Sequence, residues 1–311
     1  MLDFFVNWIA STPGLAAPYA LAALGLIVSE RAGILSLTAE GLMLVGALAG
    51  VAAYVSLGGG PGVALLVAMI AAVVASLLFG LLTVILRVNQ VIAGLAFVFF
   101  CQGATDLIGN LGAWDNHAIA GLSPVSLGAL SALPVVGHIL FSQDIVVYLI
   151  VPIFFLINHI LFRSTVGLRL RAVGETPEAA DAAGISVNLY RVAAVAAGAA
   201  LIGLAGGYIS VVNTKIWIAG MTGGRGWIAI ALVIFARWRP WRALAGALLF
   251  GGIEALIPHI AAAGIKVPQY FVLMTPSLAT IAVMVWAAAV KRGAGDEPGA
   301  LGLPFVREER R

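Results

Sequence analysis

The chain is built from long apolar segments with few charges, separated by short polar connections. A helix needs about 20 apolar residues to cross the hydrocarbon region of a bilayer. Two of the segments, at 15–29 and 226–237, are short for a full crossing. They predict half-helices or tilted helices beside re-entrant backbone, which is tolerated only when it is buried in protein. The candidate spans lie at about 15–29, 33–57, 62–86, 90–108, 145–162, 190–212, 226–237, 243–260 and 270–290.

The composition indicates that lipid is the solvent for most side chains. Hydrophobic residues make up 62% of the 311 positions and charged residues only 10%, whereas soluble proteins have about 25% charged residues. So few charges could not cover a soluble domain. We predict an all-α integral membrane protein with about 8–10 transmembrane or half-membrane helices. They form one domain over 1–292, followed by a flexible cytoplasmic tail at 293–311.

The distribution of Lys and Arg predicts the orientation. With the long loop at 163–191 placed in the cytoplasm, 14 of the 17 basic residues fall inside. The exceptions are Lys215, Arg225 and Lys266. Cytoplasmic loops are enriched in Lys and Arg, so the N-terminus is predicted outside and the C-terminus inside. The same rule explains the net charge of +3 without a nucleic acid partner.

A weak internal repeat relates segment 61–91 to segment 240–270. Each copy follows a Gly-rich apolar helix and precedes another apolar helix. In the predicted topology the first three-helix set begins inside and the second begins outside. The repeat is therefore predicted to be inverted, as in many transporters.

The loop at 163–191 contains the signals of a short helix. Thr176 can act as N-cap, Pro177 suits the first helical position, Glu178 complements the helix dipole, and Gly184 can end the helix. A helix of about seven residues is marginal alone in water. Its alanines would allow another protein to approach closely. The spacing alone leaves two possibilities open, a docking element and an ordinary structured loop.

Three stretches carry a family resemblance. The loop sequence GLRLRAVGETPEAADAAGI, which starts at Gly167, resembles the coupling loop of ABC importer permeases for simple sugars and nucleosides. These are relatives of the ribose and branched-chain amino-acid permeases. The stretches ERAGILSLTAEGLMLVGA from Glu30 and GRGWIAIALVIFARWRP from Gly224 resemble two other signatures of that family, in the same order.

The resemblance implies a multi-pass permease of the bacterial plasma (inner) membrane, not an enzyme. It would import a small hydroxylated solute, with a nucleoside favoured and a simple sugar next. A separate cytoplasmic ABC ATPase would carry the ATP and Mg, and this chain has no phosphate-loop motif or cofactor of its own. An extracytoplasmic substrate-binding protein and a second permease subunit, in a heterodimer, would complete the complex. The implied ATPase-coupling residues are Glu175, Thr176, Pro177, Glu178, Ala179, Ala180, Asp181, Ala183 and Gly184.

Polar residues within or beside apolar segments are candidates for the translocation path. A carboxylate in hydrocarbon is costly and usually faces a cavity or a partner. Such a residue can contact the solute, or it can make a structural hydrogen bond to a neighbouring helix. Aromatic faces stack on sugar rings and nucleobases. The candidates are Glu40, Asn89, Arg225, Trp227 and Glu254.

Two other classes of protein were weighed. A secondary transporter driven by an ion gradient would share the inverted repeat and the buried Glu40 and Glu254, but it has no need for a coupling helix. An intramembrane enzyme needs a convergent nucleophile or metal set. The four His are scattered and Cys101 is the single cysteine, which predicts no metal site.

Overall fold

The computed structural model describes residues 2–125, 141–262 and 297–307, together with single positions between these stretches. Most of the predicted span at 270–290 lies outside the described residues. So does most of the apolar stretch at 121–141, which its prolines and glycines predict to be an interfacial or re-entrant element. The described helices are α1 (Leu2–Glu30), α2 (Ala39–Leu57), α3 (Gly60–Gly80), α4 (Gln90–Leu111), α5 (Ile145–Arg163), α6 (Thr165–Glu175), α7 (Pro177–Ala182), α8 (Val187–Tyr208), α9 (Arg225–Ala236) and α10 (Pro240–Ala262).

Seven of the described helices are long and apolar enough to cross a membrane. They are α1, α2, α3, α4, α5, α8 and α10; α3 and α8 each continue into a π-helical turn, at Leu81–Ile85 and Ile209–Asn213. The prediction of an all-α integral membrane protein is confirmed. Helix α9 has 12 residues, about 18 Å, and is too short to cross, as the sequence predicts.

The prediction that the first span is a short helix at 15–29 is wrong. Helix α1 has 29 residues and begins at Leu2, although Pro13 and Pro18 lie inside it. Polar residues lower the hydropathy of its first half, and several of these side chains donate hydrogen bonds within the protein. Thr12 Oγ1 donates a hydrogen bond to the carbonyl oxygen of Trp8 (2.9 Å), and Trp8 Nε1 donates to that of Gly252 (2.7 Å).

The second span also differs from its prediction, because α2 begins at Ala39 and not near residue 33. Residues 31–38 form a non-helical connection that we call the re-entrant loop. It runs back along α4: the amide of Leu35 donates to Gln90 Oε1 (2.6 Å), and Leu37 packs against Gly94. Because Gln90 starts α4 and Gly94 lies one turn further on, the loop enters the bundle and α2 starts inside it.

Helix α8 is the central helix of the bundle and packs against α1, α2 and α3. Glycines allow these close approaches. A Cβ on Gly198 would overlap the carbonyl oxygen of Gly25 on α1, and a Cβ on Gly46 would overlap the backbone of Gly203. Small residues at such spacing let helix backbones meet within a membrane. Gly46 and Gly203 therefore act as packing residues between α2 and α8.

The packing agrees with an inverted repeat. Helix α1 packs along α10, and α8, its equivalent in the second set, packs along α3. Helices α1 and α8 also cross each other, and they run in opposite directions because α1 ends where α8 begins. This exchange of partners is what a two-fold axis in the membrane plane produces.

The ends of α1, α5 and α9 and the connection after α3 lie on one side of the bundle, which we call the arginine-rich end. It carries Arg31, Arg87, Arg163 and Arg237, and the positive-inside rule predicts that it is cytoplasmic.

The loop at 163–191 contains α7 at the predicted place. It also contains α6, which the sequence signals did not predict; Ser164 caps this helix by accepting a hydrogen bond from the amide of Gly167 (3.1 Å).

The C-terminal segment differs from the expectation of a flexible tail. Residues 297–307, which we call the tail segment, pack against the arginine-rich end, and Ala300 and Phe305 are buried. The amide of Ala300 donates to the carbonyl oxygen of Gly174 (2.9 Å), and the amide of Gly302 donates to that of Gly33 (3.2 Å). Small residues on both sides allow the two backbones to come this close.

We predict that Gly198→Ala destabilises the protein by about 1–3 kcal/mol, because the new methyl group would overlap the carbonyl oxygen of Gly25 and the hydroxyl of Ser29. Gly103→Ala in α4 is the matched control, since nothing lies within 4 Å of its added Cβ and alanine favours a helix by up to about 1 kcal/mol. Thermal unfolding in detergent would compare the two. Equal stability of both variants would contradict close packing of α1 on α8.

Candidate translocation site and coupling face

The Glu40 carboxylate holds the first turn of α9 against the first turn of α2. Its Oε1 accepts hydrogen bonds from Thr222 Oγ1 (2.6 Å) and the Gly224 amide (2.8 Å), and its Oε2 accepts one from the Gly226 amide (2.7 Å). The amides at a helix N-terminus lack partners within the helix and favour an anion. Helix α9 begins inside the bundle, and Glu40 supplies the hydrogen-bond acceptors that its first amides need.

Beside this cap, Arg225 forms an ion pair with Glu254 of α10. Tyr19 of α1 donates a hydrogen bond from its hydroxyl to the other carboxylate oxygen of Glu254, at 2.8 Å. Arg225 Nη1 also donates to the carbonyl oxygen of Thr222 (3.2 Å). The Arg225 and Glu254 side chains are 25% and 19% exposed, so this pair is reachable from a space beside α9.

This site lies near the middle of the membrane. Tyr19 is about three helical turns from the end of α1 at Glu30, roughly 17 Å. Glu254 is about four turns, roughly 21 Å, from the start of α10 at Pro240. Both helix ends are at the arginine-rich end, and the hydrocarbon region is about 30 Å thick. The Arg225–Glu254 pair is therefore close to half depth.

Trp227 follows in the same first turn of α9 and is 39% exposed. The Gly223 and Gly224 backbones before it have positive φ, +57° and +85°, a conformation that glycine adopts without strain. This turn brings the helix start to half depth with the aromatic ring available for contact. Four predicted path residues therefore lie together around the start of α9: Glu40, Arg225, Trp227 and Glu254.

Asn89 does not join them. It is the N-cap of α4, where its Oδ1 accepts hydrogen bonds from the amides of Val91 (3.0 Å) and Ile92 (3.1 Å). It lies two residues after Arg87, at the arginine-rich end. The structure places Asn89 at a helix cap and not with the group around α9.

Sequence reasoning missed two members of the site. Tyr19 lies in α1, in a part of the chain with no family signature, and Thr222 precedes the signature that starts at Gly224. Tyr19 is 2% exposed and Thr222 is fully buried. A tyrosine hydroxyl within an apolar helix needs a hydrogen-bond partner, and this was the available signal. Across the described parts of the chain, no group of three or more His, Cys, Asp or Glu is placed to hold a metal ion.

The other end of α9 is tied to the end of α1. Trp238 Nε1 donates a hydrogen bond to Glu30 Oε2 (2.5 Å), and Arg31 Nη2 donates to the carbonyl oxygen of Trp238 (3.2 Å). The Arg31 guanidinium also lies over the ring of Phe162, 5.6 Å from its centroid. Helix α9 is thus held at both ends, by Glu40 at half depth and by Glu30 and Arg31 at the arginine-rich end.

The short helix α7 lies on the surface of the arginine-rich end. Thr176 occupies the predicted N-cap position but makes no side-chain capping hydrogen bond. Pro177 and Ala180 are buried, and Gly184 follows the helix with φ +80°. The exposed residues of the predicted coupling set are Glu175, Thr176, Glu178, Ala179, Ala183 and Gly184, with Asp181 half-buried.

Helix α6 supports α7 from the membrane side. A Cβ on Gly174 would overlap the carbonyl oxygen of Arg31, so α6 contacts the re-entrant loop directly. Arg171 lies over the Phe162 ring at 5.3 Å from its centroid, on the same ring that Arg31 contacts. These contacts link α6 and α7 to the connection that leads to Glu40.

The sequence of this chain is similar over most of its length to those of known permease proteins. Residues 9–288 match the family model described as "Branched-chain amino acid transport system / permease component". A putative glucose ABC transporter permease protein of Haloferax volcanii is 37% identical, with 92% of this chain and 93% of that protein covered. The guanosine ABC transporter permease protein NupQ of Bacillus subtilis is 32% identical, with 95% of each covered. The nucleoside ABC transporter permease protein NupC of Lactococcus lactis is 30% identical, with 94% of each covered.

We predict that Arg225→Gln and Glu254→Gln each destabilise the protein by about 3 kcal/mol, because each leaves the partner charge unpaired inside the membrane. The double variant removes both charges, and its free energy of unfolding is expected to be closer to that of the wild type than the value for either single variant. Thermal unfolding of all four proteins in detergent completes the double-mutant cycle. Additive losses in the double variant would show that the two side chains do not interact.

Proposed function

The chain belongs to the family of permease components of branched-chain amino acid transport systems, and we propose on that premise that it imports a nucleoside or a simple sugar. It is a permease subunit of an ABC importer, as its relatives indicate. A separate cytoplasmic ATPase, docked on residues 175–184, would bind ATP with Mg and drive the transport. The chain would act as a transport component and not as an enzyme.

The observation that carries this proposal is the exposed helix α7 at the arginine-rich end. Ala179 and Ala182 are exposed on a helix of six residues, and Ala183, which follows this helix, is also exposed. Small side chains leave the helix backbone open to a close approach by another protein. A helix this short needs support from packing, and its buried residues Pro177 and Ala180 supply that support from below. A short helix of this shape suits insertion into a groove of the ATPase.

The site at half depth supports a hydroxylated solute. Trp227 offers an aromatic face, and Arg225, Glu254 and Tyr19 offer hydrogen-bonding groups beside it. An aromatic face with a few polar groups suits both a nucleobase and a sugar ring. Relatives are named for guanosine, nucleoside and glucose transport. A nucleoside is favoured because its base can stack on Trp227 while its ribose reaches the polar groups.

The remaining partners follow from the class of transporter. Helix α3 presents Leu66, Ile70 and Val74 with about three-fifths of each side chain exposed. Lipid or a second permease subunit would cover such a face, and we propose a heterodimeric pore. An extracytoplasmic binding protein would deliver the solute at the end opposite the arginine-rich one. The complex would lie in a bacterial inner membrane with the N-terminus outside and the C-terminus inside.

We predict that Ala179→Arg in the reconstituted complex lowers ATP hydrolysis stimulated by the loaded binding protein by about tenfold or more, because a bulky charge blocks a close protein contact. Ala179→Ser is the matched control, since serine stays small. Co-purification of the ATPase with the permease checks the docking directly. The variant is expected to fold normally because Ala179 is exposed.

The same proteoliposomes separate this function from an ion-gradient-driven carrier. Solute uptake is expected to require ATP and the ATPase partner, and to persist when an ionophore collapses the ion gradients. Uptake without the ATPase that an ionophore abolishes would instead establish the secondary transporter. If the loaded binding protein still stimulates ATP hydrolysis fully in the Ala179→Arg complex, α7 is not the docking element.

We predict that Trp227→Ala raises the apparent KM for nucleoside uptake about five- to tenfold, because aromatic stacking contributes up to about 1.5 kcal/mol. Trp227→Phe keeps an aromatic face and is expected to stay within about twofold of the wild type. Competition with unlabelled ribose and guanosine would show which part of the solute the ring contacts. An unchanged KM in Trp227→Ala would place the ring outside the path.

A further inference from the structure

The tail segment contacts three separate parts of the arginine-rich end. Its Gly299 amide donates a hydrogen bond to Glu175 Oε2 (3.0 Å), at the junction of α6 and α7. Its Ala300 amide donates to the carbonyl oxygen of Gly174 on α6 (2.9 Å). Its Gly302 amide donates to the carbonyl oxygen of Gly33 in the re-entrant loop (3.2 Å). The tail segment therefore bridges the coupling helices and the loop that leads to Glu40.

The third part of the arginine-rich end that the tail segment contacts is the first turns of α8, through a buried arginine. Arg191 is 1% exposed, and its Nη1 donates to the carbonyl oxygen of Leu303 in the tail segment (3.1 Å). Its Nε and Nη2 have no hydrogen-bond partner in the described parts of the chain. A buried cation with so few partners is costly. Leu303 therefore supplies a hydrogen bond to a buried cation, and this bond ties the first turns of α8 to the tail segment.

Apolar packing joins the tail segment to α6, α7 and α8. Phe305 of the tail segment is 8% exposed and packs with Val173 of α6, Ala180 of α7 and Val187 of α8. Arg307 forms an ion pair with Asp181 of α7 at 3.1 Å. That pair is mostly exposed and contributes little to stability. Phe305 is the side chain that fixes the tail segment.

These contacts lie between α7 and the loop that leads to Glu40. Helix α6 packs on the re-entrant loop at Gly174 and Arg31, and the loop ends at Thr38, two residues before Glu40. Glu40 in turn holds the start of α9. A displacement of α7 reaches Glu40 by this route when α6, α7 and the loop move together. Beside the direct contact at Gly174, the tail segment supplies the hydrogen bonds that join them.

We propose that the tail segment fastens the coupling helices, the re-entrant loop and the start of α8 into one unit that moves when the ATPase acts. This inference rests on the proposed function, since it assigns a role in coupling ATP hydrolysis to transport. The tail segment is a positioning element: it does not contact the solute, and it acts through the loop and Glu40. It deepens the proposal by adding residues 297–307 to the coupling machinery.

The test uses the complete complex in proteoliposomes and measures solute imported per ATP hydrolysed. Phe305→Ala, and separately a chain that ends at residue 296, are expected to lower this ratio by about tenfold while the ATPase still co-purifies and hydrolyses ATP. Pro304→Ala is the matched control, because Pro304 is exposed beside Phe305. A ratio equal to the wild type in both variants would overturn the inference.

Loss of ATPase co-purification in Phe305→Ala would also overturn it, because the tail segment would then serve docking and not coupling. That outcome would leave the proposed function intact. Failure of the proposed function is recognised separately, by uptake that needs no ATPase. The two failures are therefore distinguishable in one set of proteoliposomes.

A cross-link distinguishes a unit that moves together from a latch that must open. Asn188 at the start of α8 and Arg307 of the tail segment line the same cavity, of about 360 Å³. Asn188→Cys with Arg307→Cys is made with the buried Cys101 replaced by alanine, and the pair is joined by a short bifunctional thiol reagent. Retained transport after cross-linking supports the inference. Transport that is lost on cross-linking and restored by cleaving the reagent would overturn it, because the tail segment would then have to leave.

Discussion

A helix that begins inside a membrane must find partners for its first amides, and the rest of this structure depends on how Glu40 meets that need. Water cannot satisfy these groups at half depth, and each unsatisfied group costs several kcal/mol. Glu40 accepts hydrogen bonds from the amides of Gly224 and Gly226 and from the Thr222 hydroxyl. The dipole of α9 in turn stabilises the carboxylate. Neither the charge nor the half-helix would be stable there without the other.

This mutual support explains why α9 can connect the half-depth site to the arginine-rich end. Its start is fixed to α2 by Glu40 and to α10 by the Arg225–Glu254 pair. Its end is fixed to α1 by Trp238 and Glu30. A helix of 12 residues held at both ends behaves as a short rigid element. Movement of the loop between Glu30 and Glu40 therefore changes the position of the half-depth site as well as the surface of the arginine-rich end.

The sequence predicts the elements whose signals are local. Apolar length locates most spans, Thr176 and Pro177 locate α7, and the charge of Glu40 within an apolar region marks the site. Long-range contacts have no such signal. Tyr19 is a partner for Glu254 only after α1 and α10 pack together, and the tail segment has a composition that suits a flexible chain. Its docking depends on glycine and alanine backbones that fit Gly33 and Gly174, which no periodicity reveals.

Under the proposed function, the same hydrogen bonds limit how tightly this site would hold a solute. Both oxygens of the Glu40 carboxylate are engaged by α9, and both oxygens of Glu254 are engaged by Arg225 and Tyr19. A solute hydroxyl that binds here must share or replace these partners, so the net gain in free energy is small. A solute can stack on the face of Trp227 without breaking any of these hydrogen bonds. A subunit that must release its solute on every cycle is better served by such weak binding, which leaves strong selection to the protein that delivers the solute.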